Sequence, residues 1–323
     1  MSNVRRIQER HRTKAKAAKG LAPDRWRDDY WTLSRLPLHA LVFLVPLIVL
    51  YELGSIAYLR DPAANVTTQI RAESLLNLFF QYFGVFGLMV PGITLAVVLM
   101  VMHIIRKDRW IVRPMVVTGM YLESAMWVLP LIVLAAVVTD AAHRLSGVPG
   151  GGAAATEMWN GFPFAAVFEQ GGGGGGGGGG NPLLSMQWQA RATIAVGAGV
   201  YEELLFRLIC IAAADALFKP LVSSASTRAV LCVVVTSFCF AIYHDNAFTY
   251  DYATGQGFFS VIHTLFDSGP AAALGRIRWG NFAFYFAAGV YFACIYLSRG
   301  FGVVVGTHAA YDLAVLVLLS GRG

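Results

Sequence analysis

Long apolar stretches separated by short polar ones dominate the chain. A helix needs about 20 apolar residues to cross a membrane, and seven stretches are long enough: 37–59, 81–105, 114–139, 192–218, 228–247, 281–298 and 301–320. Only the turn Ser298–Gly300 separates the last two. Residues 65–80 carry apolar side chains at helical spacing, which predicts an interfacial helix or an eighth span. The pattern therefore predicts an all-α, polytopic transmembrane helical bundle of about seven spans.

The composition agrees with a membrane protein. Hydrophobic types make up 56% of the chain and charged types 14%, whereas a soluble domain carries about 25% charged residues. These values exclude a disordered protein, a coiled coil and an ordinary cytosolic enzyme. The four cysteines all lie in apolar stretches without paired spacing, which indicates free thiols rather than a disulfide framework.

The positive charge is concentrated at the N-terminus. Residues 1–35 contain ten Lys/Arg and four Asp/Glu, so 10 − 4 accounts for the whole net charge of +6. This arm and the basic stretches at 106–113 and 219–228 fall on one side of a seven-span bundle. The positive-inside rule makes that side cytoplasmic. We expect an integral protein of a bacterial plasma membrane with a cytoplasmic N-terminus and no nucleic-acid partner.

A glycine-rich segment divides the chain. Ten consecutive glycines run from Gly171 to Gly180, and such a run is a flexible tether. We expect four parts: a basic arm (1–35), N-terminal transmembrane helices (36–145), a low-complexity loop with an interfacial aromatic segment (146–190), and a C-terminal transmembrane core (191–323).

Ionisable residues inside apolar helices are costly and are therefore candidates for function. Glu203 and Arg207 are four residues apart, so they share a helix face and can pair. Glu202 points about 100° away and is left as a candidate general base. The alternative is that both acids serve one arginine in a packing network.

Two further motifs lie on later apolar helices. His244 ends one helix with Phe240 one turn earlier, although a lone histidine there is often only a cap. His308 and Asp312 are four residues apart on the last helix, which also carries a small-residue seam at Gly302 and Gly306. The rise of a helix allows Glu202 and Asp312 to lie at the same depth.

The remaining polar positions have simpler interpretations. Glu52 and Glu123 are expected to hydrogen-bond between helices or to line a cavity entrance, and Asp215 to serve the helix end near Lys219. The loop 246–280 carries several phenylalanines and is a candidate lid.

Taken in order, Glu202-Glu203-x-x-x-Arg207, Phe240-x-x-x-His244 and His308-x-x-x-Asp312 resemble the CAAX prenyl protease and bacteriocin-processing (CPBP, or Abi) family of intramembrane proteases. The resemblance covers about residues 190–316. It implies that Glu202 and His244 activate a water molecule, that His308 and Asp312 stabilise the oxyanion or hold the water, and that Glu203 and Arg207 form a structural ion pair. The substrate would be a membrane-associated peptide or protein.

The chain departs from the family in two places. Leu208 stands where many members have glycine, and Asp312 stands where the prenyl-protease branch has asparagine. An ionised Asp312 cannot donate a hydrogen bond to an oxyanion, so it must be protonated or must orient His308. By resemblance to that branch we expect no metal or other cofactor; if zinc is used instead, its ligands would be Glu202, His244 and His308.

Two other classes of function stay open from sequence. One is a non-catalytic membrane binding or immunity protein that keeps the family fold. The other is a proton-coupled transporter, which also uses intramembrane carboxylates, although the chain has no internal repeat that would favour transporter architecture.

Overall fold

A computed structural model of the chain describes residues 29–61, 66–67, 69–87, 89–146, 168–169, 186–244 and 279–319. Most of the basic arm, the glycine run and the aromatic residues of the candidate lid lie outside the described residues, so the predictions made for them are not addressed.

The described part is almost entirely helical. Its helices are α1 (Tyr30–Leu33), α2 (Pro37–Leu59), α3 (Arg71–Tyr82), α4 (Val90–Arg106), α5 (Pro114–Ser146), α6 (188–218), α7 (Ala225–His244), α8 (Trp279–Arg299) and α9 (Phe301–Leu313, continued by Ala314–Leu319). The all-α prediction is confirmed, and four two-residue strands accompany the helices as two antiparallel pairs: β1 (Arg60–Asp61) with β2 (Val66–Thr67), and β3 (Gln69–Ile70) with β4 (Phe168–Glu169).

Five described helices are long and apolar enough to cross a membrane: α2, α5 over Pro114–Val138, α7, α8, and α9 over Phe301–Leu318. The other two predicted spans are helical but different in character. Helix α4 is shorter, at 17 residues. Helix α6 contains at least three charged residues in every 18-residue stretch, because Glu202, Glu203 and Arg207 lie near its middle. The count of seven or eight spans stays a prediction.

The start predicted for the second span, residue 81, is wrong. Helix α3 ends at Tyr82, and Gly84 and Gly87 then take positive φ values of 75° and 152°, which break the helix before α4 begins at Val90. Helix α3 itself is amphipathic, as the spacing within 65–80 predicts. One of its faces is buried, and the other exposes Leu75, Leu78 and Phe79.

Helix α9 is the central helix of the bundle. In its most apolar 18-residue stretch 72% is buried, against 22–44% for the other four long apolar helices. Small residues allow this central position. A Cβ at Gly199 of α6 would lie 2.6 Å from the backbone nitrogen of Ala309, and a Cβ at Gly302 would lie 3.2 Å from Cα of Ala40 in α2. The predicted seam on α9 therefore packs against other helices.

Two further small-residue contacts bring backbones close together. A Cβ at Gly289 of α8 would lie 3.0 Å from Cα of Ser237 in α7, so these helices also touch backbone to backbone. The predicted turn between α8 and α9 is confirmed at Gly300, whose φ is 89° and whose Cβ position would lie 3.1 Å from Cα of Arg35. A side chain there would be strained.

An ion-pair network holds α1, α5 and α8 together at one end of the bundle. Arg299 donates to both carboxylate oxygens of Glu123 at 2.5 and 2.9 Å. Glu123 also accepts from Tyr30 at 2.5 Å and from Trp127 at 3.1 Å. Glu123 is thus an interhelical hydrogen-bond partner, one of the two roles expected for it.

Asp215 and the cysteines have plain structural roles. The Asp215 carboxylate accepts from Arg228 of α7 at 2.5 Å, so it ties two helices together, and no bond to the Lys219 side chain is seen among the described residues. All four cysteines are free thiols, as predicted.

Candidate active site

The acidic motif lies where helix α6 changes its winding. Glu202 and Glu203 end the regular α-helical part, Trp188–Glu203, and a π-helical segment, Leu204–Cys210, follows directly. Another π-helical segment, Ala314–Leu319, begins two residues after Asp312 on α9. Short π segments recur at functional sites, because the extra residue per turn re-aims neighbouring side chains.

Glu202 is completely buried and faces both histidines. Its Oε2 atom lies 3.2 Å from Nε2 of His244 and 3.8 Å from Nε2 of His308. Its Oε1 atom accepts a hydrogen bond from the Tyr243 hydroxyl at 3.3 Å. The three helices α6, α7 and α9 therefore bring the three sequence motifs to one point.

His244 is held in one orientation. Its Nδ1 lies 2.9 Å from the carbonyl oxygen of Phe240 one turn earlier, and because a carbonyl only accepts, Nδ1 carries the proton. The ring stacks on Tyr285 of α8, with centroids 4.4 Å apart and planes at 20°. The Nε2 atom is thereby aimed at Glu202.

His308 lies between two acids on one side and a third on the other. Its Nδ1 lies 2.8 Å from Oε1 of Glu203. Its Nε2 lies 3.6 Å from Oδ2 of Asp312 and 3.8 Å from Glu202. The ring stacks on Phe292 at 4.6 Å. Both ring nitrogens thus face acceptors, so the ring can act as a donor on both sides.

The predicted pair of Glu203 and Arg207 is present, with Nε 3.1 Å from Oε2 and both side chains fully buried. The guanidinium also lies over the rings of Phe240, Phe292 and Phe206, at 4.8, 5.8 and 6.0 Å, a cation–π arrangement. Glu203 also contacts His308, which the sequence analysis did not predict; its role as a structural ion-pair residue stays a prediction.

These polar groups border one small cavity. Glu202, His244, His308 and Asp312 line it together with apolar and aromatic side chains, Leu131 of α5 among them. The cavity offers about 20 Å³ to the centre of a water molecule, which is room for about one water. A carboxylate, two imidazoles and a water-sized space are the components of water activation and proton transfer.

Sequence reasoning missed the tyrosines of this region. Tyr243 binds Glu202, Tyr285 supports His244, and Tyr311 lines the cavity. A tyrosine in an apolar helix is indistinguishable from a core residue in the sequence. Only the position of its side chain in the structure shows that it belongs to the site.

A second buried acidic cluster lies beside the site, across helices α2, α3 and α6. Tyr201 donates to Glu52 at 2.7 Å, and Tyr51 donates to Glu73. Glu52 is therefore an interhelical partner, as expected. Glu73 was missed, although it lies on the face of α3 that also buries Ala72 and Leu76. Burial raises the pKa of Glu73 to about 8.

No metal centre is evident in the described part of the chain. Among these residues no group of three or more His, Cys, Asp or Glu is arranged to hold a metal ion. The expectation that no cofactor is needed stays a prediction, as does the zinc alternative with Glu202, His244 and His308 as ligands.

Comparison with known proteins supports the resemblance drawn from the three motifs. Residues 185–314 match the family model described as "Type II CAAX prenyl endopeptidase Rce1-like". The matched region holds every residue of the three motifs, and the resemblance to the CPBP family is confirmed there. No curated protein and no solved structure matches the chain.

Proposed function

We propose that this protein is an intramembrane endopeptidase that hydrolyses a peptide bond of a membrane-associated peptide or protein. The observation that carries the proposal is the convergence of Glu202, His244 and His308 on one water-sized cavity inside apolar helices. The match to a family of CAAX prenyl endopeptidases supports the reaction class. A prenylated C-terminal tail is therefore the first substrate class to test.

The first step of the proposed reaction is attack by water. Glu202 accepts a proton from a water molecule in the cavity while the water oxygen forms a bond to the carbonyl carbon. His244, fixed through Phe240, keeps the carboxylate oriented and shares its proton. The carbonyl oxygen becomes an oxyanion, and an N–H of His308 can donate to it.

The second step breaks the carbon–nitrogen bond. Electrons of the oxyanion return to form the new carboxyl group, and the departing amine takes the proton that the Glu202–His244 pair received from water. Atoms and charge balance with water as the only co-substrate, and no acyl-enzyme forms. Asp312 lies 3.6 Å from Nε2 of His308 and is assigned to orient that side of the ring.

The test is a cleavage assay in proteoliposomes. The probe is a quenched fluorogenic peptide that carries a farnesylated cysteine three residues before its C-terminus, and the same peptide without the lipid is run beside it. We expect Glu202→Gln, His244→Ala and His308→Ala to lower kcat by at least about 10²-fold. Glu52→Gln, a buried acid that lines no part of the described cavity, is the matched control and should keep its activity.

The outcomes separate the alternatives. Cleavage of the lipidated peptide alone assigns the prenylated class, and cleavage of both assigns a wider one. Full activity in Glu202→Gln refutes the assignment of the base. A wild-type protein that cleaves neither peptide, together with a Glu202→Gln strain of normal phenotype, favours the non-catalytic binding protein.

A further inference from the structure

Among the described residues, the motif positions of the proposed peptidase site supply one donor for the oxyanion, His308. Asp312 occupies the last motif position, and as a carboxylate it accepts hydrogen bonds only. The donor assigned to the oxyanion, Nε2 of His308, also faces Asp312 at 3.6 Å and Glu202 at 3.8 Å. A tetrahedral intermediate is stabilised best by two preorganised donors, so another polar group is expected at the cavity wall.

Tyr311 is the residue at that wall. It lies on α9, three residues after His308 and directly before Asp312, and its side chain lines the same cavity. Only 4% of Tyr311 is exposed, and its hydroxyl is buried without a hydrogen-bond partner among the described residues. A buried hydroxyl without a partner destabilises the folded state, because it has lost its hydrogen bonds to water.

Three other buried tyrosines in this region have an acceptor for their hydroxyl group. The hydroxyl of Tyr243 donates to Glu202, that of Tyr201 to Glu52, and that of Tyr51 to Glu73. Each of these groups orients a carboxylate. Tyr311 lines the cavity, and its phenolic hydroxyl has no acceptor among the described residues, so this donor is available to a ligand.

We infer that Tyr311 is a catalytic residue whose hydroxyl donates a hydrogen bond to the carbonyl oxygen of the scissile bond as that oxygen becomes negative. The inference rests on the proposed peptidase function and deepens it. It assigns to Tyr311 the donor role that Asp312 cannot fill as a carboxylate. The hydroxyl keeps its proton throughout, and no bond to it forms or breaks.

The test compares Tyr311→Phe with Tyr296→Phe in the fluorogenic assay described above. Tyr296 lies on α8, is partly buried, and does not line the cavity, so it controls for loss of a hydroxyl within the bundle. We expect Tyr311→Phe to lower kcat by about 10²-fold with little change in KM, and Tyr296→Phe to leave both near the wild-type values. The thermal midpoint of Tyr311→Phe should not fall, because an unpaired hydroxyl is removed.

A rescue variant keeps the inference falsifiable. Asparagine at position 312 offers an amide N–H beside the missing hydroxyl, so Tyr311→Phe/Asp312→Asn should recover part of the lost kcat. A Tyr311→Phe enzyme within about twofold of wild type in kcat overturns the inference while the peptidase proposal stands. A wild-type protein inactive on both peptides overturns the peptidase proposal, and the inference with it.

Discussion

The buried contact between Glu203, Arg207 and His308 allows a structural role to be separated from a catalytic one. Glu203 binds Arg207 through Oε2 and His308 through Oε1. The perturbation is a double-mutant cycle of Glu203→Gln, Arg207→Met and the pair of changes together. Glutamine keeps the shape of glutamate, and methionine keeps most of the apolar length of arginine.

The structure sets the expected magnitudes. Both side chains are 0% exposed, so Glu203→Gln leaves an unpaired guanidinium among aromatic rings and should destabilise the fold by about 3–5 kcal/mol. Arg207→Met should cost less, because Glu203 keeps its hydrogen bond to His308. The double variant should be close to wild type in stability, because replacing a buried ion pair by neutral groups is often nearly neutral.

In this cycle kcat and the free energy of unfolding should not change in parallel. In the double variant an amide replaces the carboxylate that orients Nδ1 of His308, so kcat should stay reduced by about 10²-fold or more. Arg207→Met should lose much less activity per folded molecule, because its Glu203–His308 bond is intact.

Two measurements are needed for the cycle. Reversible unfolding in mixed micelles gives the free energy of unfolding, and the fluorogenic assay gives kcat per folded molecule. The Glu123–Arg299 pair at the end of the bundle is the matched control, because the same changes there should alter stability and leave kcat unchanged. If the double variant at Glu203 and Arg207 regains kcat along with stability, the proposed role of Glu203 in orienting His308 is wrong.

Two other predictions concern proton and metal dependence. The pKa of Glu73 is about 8 in the folded protein against about 4.3 in an exposed glutamate, so the folded state binds the proton more tightly. The contribution of Glu73 to the free energy of unfolding is therefore complete below about pH 4. It falls by up to roughly 5 kcal/mol as pH rises towards 8, and it changes little above that pH. Thermal midpoints at pH 5, 7 and 9 should show this slope in the wild type and a much flatter one in Glu73→Gln; equal slopes would contradict the assignment. For the metal question, we expect dialysis against EDTA and phenanthroline to leave kcat unchanged, whereas loss of activity that zinc restores would establish the alternative with Glu202, His244 and His308 as ligands.

The sequence by itself determined the features that depend on neighbours within one helix. Apolar runs located helices in all seven predicted places, and the spacing of Glu203 and Arg207 predicted their ion pair. Order and spacing of the motifs indicated the protease family. The helix positions and the ion pair are local features, because residues three or four apart in a helix must share a face whatever surrounds them.

Only the tertiary structure decided how the helices are turned towards one another. It placed His308 between Glu202 and Glu203, more than 100 residues away in the chain, and it turned Glu73 inwards and left the Tyr311 hydroxyl without a partner in the described protein. A sequence pattern shows that a helix has an apolar and a polar face, but the rotation and neighbours of each helix depend on packing over the whole bundle. Small residues such as Gly199, which let two backbones touch, fix that packing.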